Sequence, residues 1–327
     1  MRPLFSLIAI LSTFSVHSQY TEVINSNRPG VSKGPFSVGT GVLQFEGGFQ
    51  YRKVDHELRR LEATGFDANL EIRYGFLLEQ LELSAEVSYE FADYLFQASG
   101  TELKESGLKQ TLVGAKYLVF DPWKKEQKPN LYSWNANNKF QWRDLLPAVS
   151  VFAGANLYTS QDPPFTFPNE FSVSPRVMVA TQHNFLGRLV LVTNFSYANI
   201  GQDFPEYGYV VTLTHSFNGN WSLYVENQGV KSDNYADVIF RGGLAYLLNK
   251  DIQVEATYGG NFKNTPFQVF GNIGISYRID NHQDKEIKND EFSKKTNNIN
   301  NKKERKRQKA KNSKKKFEDD GGVLNEK

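Results

Sequence analysis

Residues 81–91 read LELSAEVSYEF, in which Leu81, Leu83, Ala85, Val87, Tyr89 and Phe91 alternate with Glu82, Ser84, Glu86, Ser88 and Glu90. A two-residue period places the two sets on opposite faces of one β-strand, one greasy and one acidic. The same alternation recurs in VLQFEGGFQYR (42–52) and GFDANLEIRYG (65–75), and more weakly near 107–119, 146–158, 172–183, 188–198 and 207–217. WSLYVENQ, VIFRGGLAYLL, IQVEATYGGNF and FQVFGNIGISYRI complete a set of twelve predicted strands.

The connections fall into two kinds. Those at 75–80, 184–188, 218–220 and 249–251 are tight and rich in Asn and Gly, which suit hairpin turns. Those at 53–62, 92–106 and 160–171 are longer and polar, and 121–145 is long although it falls on the short-turn side. Short turns at one rim and long loops at the other mark an outer-membrane barrel. Lipid then covers the greasy face, and a polar interior receives the glutamates. A closed barrel is the all-β way to satisfy every backbone hydrogen bond in hydrocarbon. Aromatics near strand ends, among them Tyr51, Phe91, Tyr117, Tyr158, Tyr207, Trp221 and Tyr277, fit the two interfacial girdles. A soluble sandwich or lipocalin-like barrel also alternates, but its outer face would carry scattered charges. The expected fold is an all-β, transmembrane, antiparallel up-and-down β-barrel of about twelve strands over 37–280.

Composition changes this picture only at the ends. Hydrophobic residues make up 39% of the chain and mean hydropathy is −0.50, so nothing in the composition suggests a helical membrane protein, and there is no cysteine. A disulfide framework, a thiolate metal site and a cysteine nucleophile are thereby excluded. The apolar run over 4–16 is shorter than the roughly 20 residues of a membrane-spanning helix. It ends in Val16-His17-Ser18, which reads as a secretory signal peptide over 1–18, with a buried N-terminal helix as the other reading. Residues 19–36 then form an N-terminal segment expected on the periplasmic side.

From residue 281 to 327 the chain carries 15 Lys and Arg against 9 Asp and Glu. With the whole chain at +2, the first 280 residues are net acidic. The run KKERKRQKAKNSKKK has too little apolar surface to order itself by burial, so 281–327 is expected to be a disordered, Lys-rich periplasmic tail. Its cations Lys302, Lys303, Arg305, Lys306, Arg307, Lys309, Lys311, Lys314, Lys315 and Lys316 suit an anionic periplasmic or cell-wall partner. An exported chain gives such a run no nucleic acid to bind.

Asn27-Arg28-Pro29-Gly30, Gly34-Pro35-Phe36 and Gly41-Val42-Leu43-Gln44-Phe45-Glu46-Gly47-Gly48-Phe49 resemble the opening of the outer-membrane transporter family labelled for the meta-pathway of phenol degradation, common in Bacteroidota. Gly114-Ala115-Lys116-Tyr117 and Leu146-Pro147-Ala148-Val149 are similar to its mid-barrel pair. The resemblance covers roughly 25–280 and implies a β-barrel transporter whose solutes are aromatic. The basic tail departs from it, because such barrels commonly end at the last strand.

Catalytic patterns are missing. The twelve-stranded phospholipase barrel sets a His and a Ser two residues apart, whereas His215 and Ser216 are adjacent and face opposite ways. His56 and His183 sit at connections, His17 in the leader and His282 at the start of the tail. No metal-ligand cluster, nucleophile elbow or phosphate loop is present, so neither enzyme activity nor a cofactor or metal is expected.

The interior charges are the candidates. Glu46, Glu71, Glu82, Glu86 and Glu90 would make one wall acidic, with Arg73 among them, while Arg176, Arg241 and Arg278 lie on later strands. Either these walls set up a transverse field that orients small polar solutes, or the charges pair and pack the lumen shut. Arg28 either folds back onto those carboxylates or sits in a simple rim turn shaped by Pro29. The Trp-rich segment 121–145 either anchors at the membrane interface or partly plugs the mouth. Two functions follow. One is passive passage of small solutes, aromatic or amphipathic, through a narrow porin-like lumen in the outer membrane. The other is a non-conducting accessory barrel whose tail tethers a periplasmic partner.

Overall fold

The computed structural model describes residues 21–123, 145–158, 165, 173–185 and 188–282. The leader, most of the Trp-rich segment and the basic tail beyond His282 therefore lie outside the described residues. Twelve strands follow in chain order: β1 (Val42–His56), β2 (Leu61–Gly75), β3 (Leu81–Phe96), β4 (Thr101–Phe120), β5 (Ala148–Leu157) and β6 (Val173–Phe185), then β7 (Leu189–Ala198), β8 (Glu206–Ser216), β9 (Trp221–Lys231), β10 (Ala236–Asn249), β11 (Ile252–Asn261) and β12 (Phe267–Asp280). Each pairs antiparallel with its neighbours in sequence. β12 returns to β1 from Val42↔Asp280 to Asp55↔Phe267, closing the barrel without a free edge.

The expected alternation holds along the strands, with burial inverted relative to a water-soluble protein. Gln44, Glu46, Arg73, Glu82 and Glu90 are buried, whereas Phe49, Val225 and Ile273 are 54%, 53% and 63% exposed. Polar residues fill the interior and large apolar ones cover the outside. No helix among the described residues is long and apolar enough to cross a membrane, which does not bear on spanning by strands.

Two of the expected long loops are strand instead. Pairing runs on through Lys53↔Thr64 to His56↔Leu61, and through Ala92↔Glu105 to Phe96↔Thr101. The connections shrink to 57–60 and 97–100. Charges such as Lys53, Glu62, Asp93 and Lys104 made these stretches look like loops. A ladder needs only backbone partners, however, and it continues in water with polar side chains on both faces.

The segment before β1 does not stay at the rim. The Ile24 amide donates to the Lys250 carbonyl (2.8 Å) in the β10–β11 turn, and the Gly41 amide donates to the Gly75 carbonyl (3.0 Å) at the end of β2. Between these two anchors, residues 25–38 enter the barrel, turn and come back.

Candidate functional site

The two legs of this segment are held by one charge cluster. Arg73 on β2 is wholly buried; its guanidinium donates to Glu46 on β1 (2.8 Å), to both carboxylate oxygens of Glu82 on β3 (3.1 and 2.9 Å) and to the Asn25 carbonyl (2.8 Å). Glu82 in turn accepts from the Val38 amide (3.0 Å) and from Lys116 on β4 (2.9 Å). The Lys116 ammonium also donates to the carbonyls of Gly34 (2.9 Å) and Phe36 (3.0 Å). The ingoing leg is thus tied at Asn25 and the outgoing leg at 34–38. Strand alternation alone directs Glu46, Arg73, Glu82 and Lys116 inward, and no cation or anion of the cluster is left uncompensated, as burial requires.

At the turn of the segment, Arg28 spans toward the seam of the barrel. Its guanidinium pairs with Glu255 on β11 and donates to Asn69 on β2 (2.7 Å) and Asn272 on β12 (2.9 Å). Two glycines make the room: Gly48 and Gly274 face each other across β1 and β12, and a Cβ at either would overlap the guanidinium. Further along, Glu226 on β9 accepts from the Val31 and Ser32 amides (3.1 and 3.2 Å). Asn194 on β7 both accepts from the Lys33 amide (2.6 Å) and donates to its carbonyl (2.8 Å). The Lys33 ammonium pairs with Glu71 (3.1 Å) and Glu86 on the opposite wall. The segment therefore crosses the lumen and is fastened to both sides of it.

Beyond the turn lies a cavity of about 430 Å³, floored by Pro29, Val31 and Lys33 and walled by Gln50, Lys109, Arg176, Glu206, Gln228 and Phe270 among others. One wall carries a further cluster in which Glu90 pairs with Arg52 and with Lys109 (2.8 Å), and Lys109 reaches Asp67 (3.2 Å). Across from it, Arg241 pairs with Glu226 (2.8 Å), donates to Gln228 (2.6 Å) and lies over the Phe270 ring at 5.3 Å.

The structure brings Glu46, Arg73 and Glu82 into one cluster, Glu71 and Glu86 into a second through Lys33, and Glu90 into a third. Each of the five glutamates has a cationic partner, so the β1–β3 wall is not a bare acidic surface. Arg28 does turn inward, yet its guanidinium meets Glu255 and not one of those five; only its backbone amide reaches Glu46 (3.2 Å). Closure of β12 onto β1 brings β11 alongside, a neighbour that chain order does not reveal. Arg278 stands apart at the rim, bound to Asp251 (2.8 Å) and to the Thr21 and Glu22 carbonyls (2.8 and 2.6 Å). Arg176 and Arg241 line the cavity. The ten tail cations lie outside the described residues.

Lys33, Arg52, Lys109, Lys116, Glu206, Glu226 and Glu255 were not among the candidates. Five of them sit at inward positions that alternation marks, so charge at those positions was the available signal. The glycine doublet in FEGGFQ carried a second signal, since an inward glycine leaves space that another group can fill. Among the described residues, no group of His, Asp and Glu is arranged to hold a metal ion.

Residues 26–279 match the model of the family described as "Putative MetA-pathway of phenol degradation". An outer membrane channel from Pseudomonas putida F1 is similar in fold, with a TM-score of 0.54 at 11% identity over 78% of this chain and 100% of that one. The KdgM porin in complex with disordered oligogalacturonate scores 0.44 at 14% identity, covering 72% and 99% of the two chains. The toluene transporter TodX of Pseudomonas putida scores 0.41 at 9% identity, covering 80% and 95%. The first shares the barrel fold, and the latter two are too distant to carry an argument. No curated protein matches the chain.

Proposed function

The chain belongs to the phenol-degradation MetA-pathway family, and from that premise we propose that it is an outer-membrane channel for the passive passage of small amphipathic solutes, aromatic ones included. The observation that carries this reading is the inverted barrel: an apolar exterior suited to lipid around a polar interior that encloses a cavity of about 430 Å³. A twelve-stranded barrel is narrower than the aqueous 16–18-stranded porins, so the segment at 25–38 is enough to constrict it. Export by the leader over 1–18 and residence in the outer membrane belong to the same proposal. The family name is the reason for including aromatics.

The same segment favours a second reading, in which the barrel does not conduct and the tail over 281–327 tethers an anionic periplasmic partner. Planar-bilayer conductance separates the two. Asn25 and Pro35 flank the segment's tip and both lie beside the Arg73–Glu82–Lys116 cluster, so joining them through a short Gly-Ser link removes 26–34 without stretching the legs. The full chain is expected to conduct weakly, and the shortened chain several-fold more. If neither conducts, although both show the heat-modifiable gel mobility of a folded barrel, the channel reading fails and the accessory barrel takes its place.

A further inference from the structure

Ionised residues facing the lumen pair almost without exception among the described residues, and Asp237 takes neutral donors from Tyr235, Asn261 and Gln268. Arg176 and Glu206 differ. Both line the cavity, and neither makes a hydrogen bond or an ion pair with any described residue. They stand in one row across the sheet: Gly154 opposes Arg176, Arg176 opposes Ala198, and Ala198 opposes Glu206. Two strand spacings put their backbones about 10 Å apart. The residues between and beside them are small, with Ala198 in the gap and Ser196 opposite Gly208 in the neighbouring position.

A cation and an anion that feel each other's charge yet stay out of direct contact across Ala198, in a cavity whose other charges pair directly among the described residues, leave a gap that a partner carrying both signs would bridge. We propose that this pair is the solute-binding site of the lumen and that its ligand is a small zwitterion with an apolar body. Its carboxylate lies on the Arg176 guanidinium, a fork suited to bidentate carboxylate recognition, and its ammonium on Glu206. Val210, Val230 and Phe270 on the same cavity receive the apolar part. Alternatives fit less well: a simple anion would leave Glu206 without a contacting donor among the described residues, and an uncharged aromatic would leave both groups without a contacting partner there. The inference rests on the reading of the lumen as a solute path and narrows it to a substrate class.

Titration calorimetry of the full chain, folded in detergent, tests it with three probes sharing one skeleton: L-phenylalanine, 3-phenylpropionate and 2-phenylethylamine. L-Phenylalanine is expected to bind, and each one-charge probe at least tenfold more weakly. In Arg176→Gln the preference for phenylalanine over phenylethylamine should vanish while that over phenylpropionate persists. In Glu206→Gln the two losses should exchange. A misfolded variant cannot give that crossed pattern. The proposal is overturned if phenylalanine fails to bind, if the three probes bind alike, or if both variants keep the wild-type preferences. Uptake of labelled phenylalanine into proteoliposomes, run alongside, reads passage separately. Uptake without saturable binding would leave the channel standing and remove this site; binding without uptake would do the reverse.

Discussion

Arg73 touches no solvent and joins two carboxylates from different strands to the carbonyl of Asn25. Replacing it with Met leaves Glu46 short of a cation and Glu82 with Lys116 alone. Breaking a buried pair from one side costs about 3–5 kcal/mol, far more than loss of an exposed ion pair. Arg73→Met should therefore lower the urea midpoint of the folded barrel sharply, whereas Lys104→Met, at the exposed pair with Asp93, should barely move it. Equal shifts would show that the cluster does not hold the interior together. The glycine notch is testable at the same scale. A methyl group at Gly274 meets the Arg28 guanidinium and the Glu255 carboxylate, both side chains. Gly274→Ala should destabilise the wild type by about 1–3 kcal/mol through overpacking. In an Arg28→Ala background it should cost much less, and a double-mutant cycle reads the coupling. Additive costs would mean that Arg28 does not occupy the notch.

At the scale of elements, legibility divides along a physical line. Residues 81–91 announced their strand, their two faces and the inward glutamates, because a period of two is local and each face keeps one solvent. The segment at 25–38 has no period and little apolar surface, so nothing local distinguishes a rim turn from a chain inside the lumen. What holds it comes from walls far off in sequence, such as Glu226 and Asn194, and neither end of such a bond predicts the other. The extended hairpins of β1–β2 and β3–β4 were hidden for a different reason: charge on both faces looks like loop when only side chains are counted. These placements make a proteolytic prediction. Trypsin should cut the folded barrel at Arg59 or Arg60, which lie exposed in the 57–60 turn, and should spare the Lys33–Gly34 bond inside the lumen. Rapid cleavage after Lys33 would place the segment outside.

At the scale of the whole molecule, the folding problem is inverted: what is buried is a network of charges, and what is displayed is a band of Val, Leu, Ile, Phe and Tyr. In water such a surface would aggregate; in hydrocarbon it is the favourable face, and the polar interior is kept from lipid by closure of the sheet. Val87 and Ser88 offer a direct comparison, being neighbours in the middle of β3 with the same ladder and opposite faces. Arg at position 87 would point outward, where a charge at the bilayer midplane costs about 2–4 kcal/mol. Arg at position 88 would enter the cavity beside Glu86 and Glu90, where carboxylates and water solvate it. Val87→Arg should thus impair assembly into lipid vesicles while Ser88→Arg assembles and alters ion selectivity toward anions. A water-soluble barrel demands the opposite order, since there position 87 would face water. Assembly of the first and failure of the second would overturn the membrane orientation, and with it the channel that depends on it.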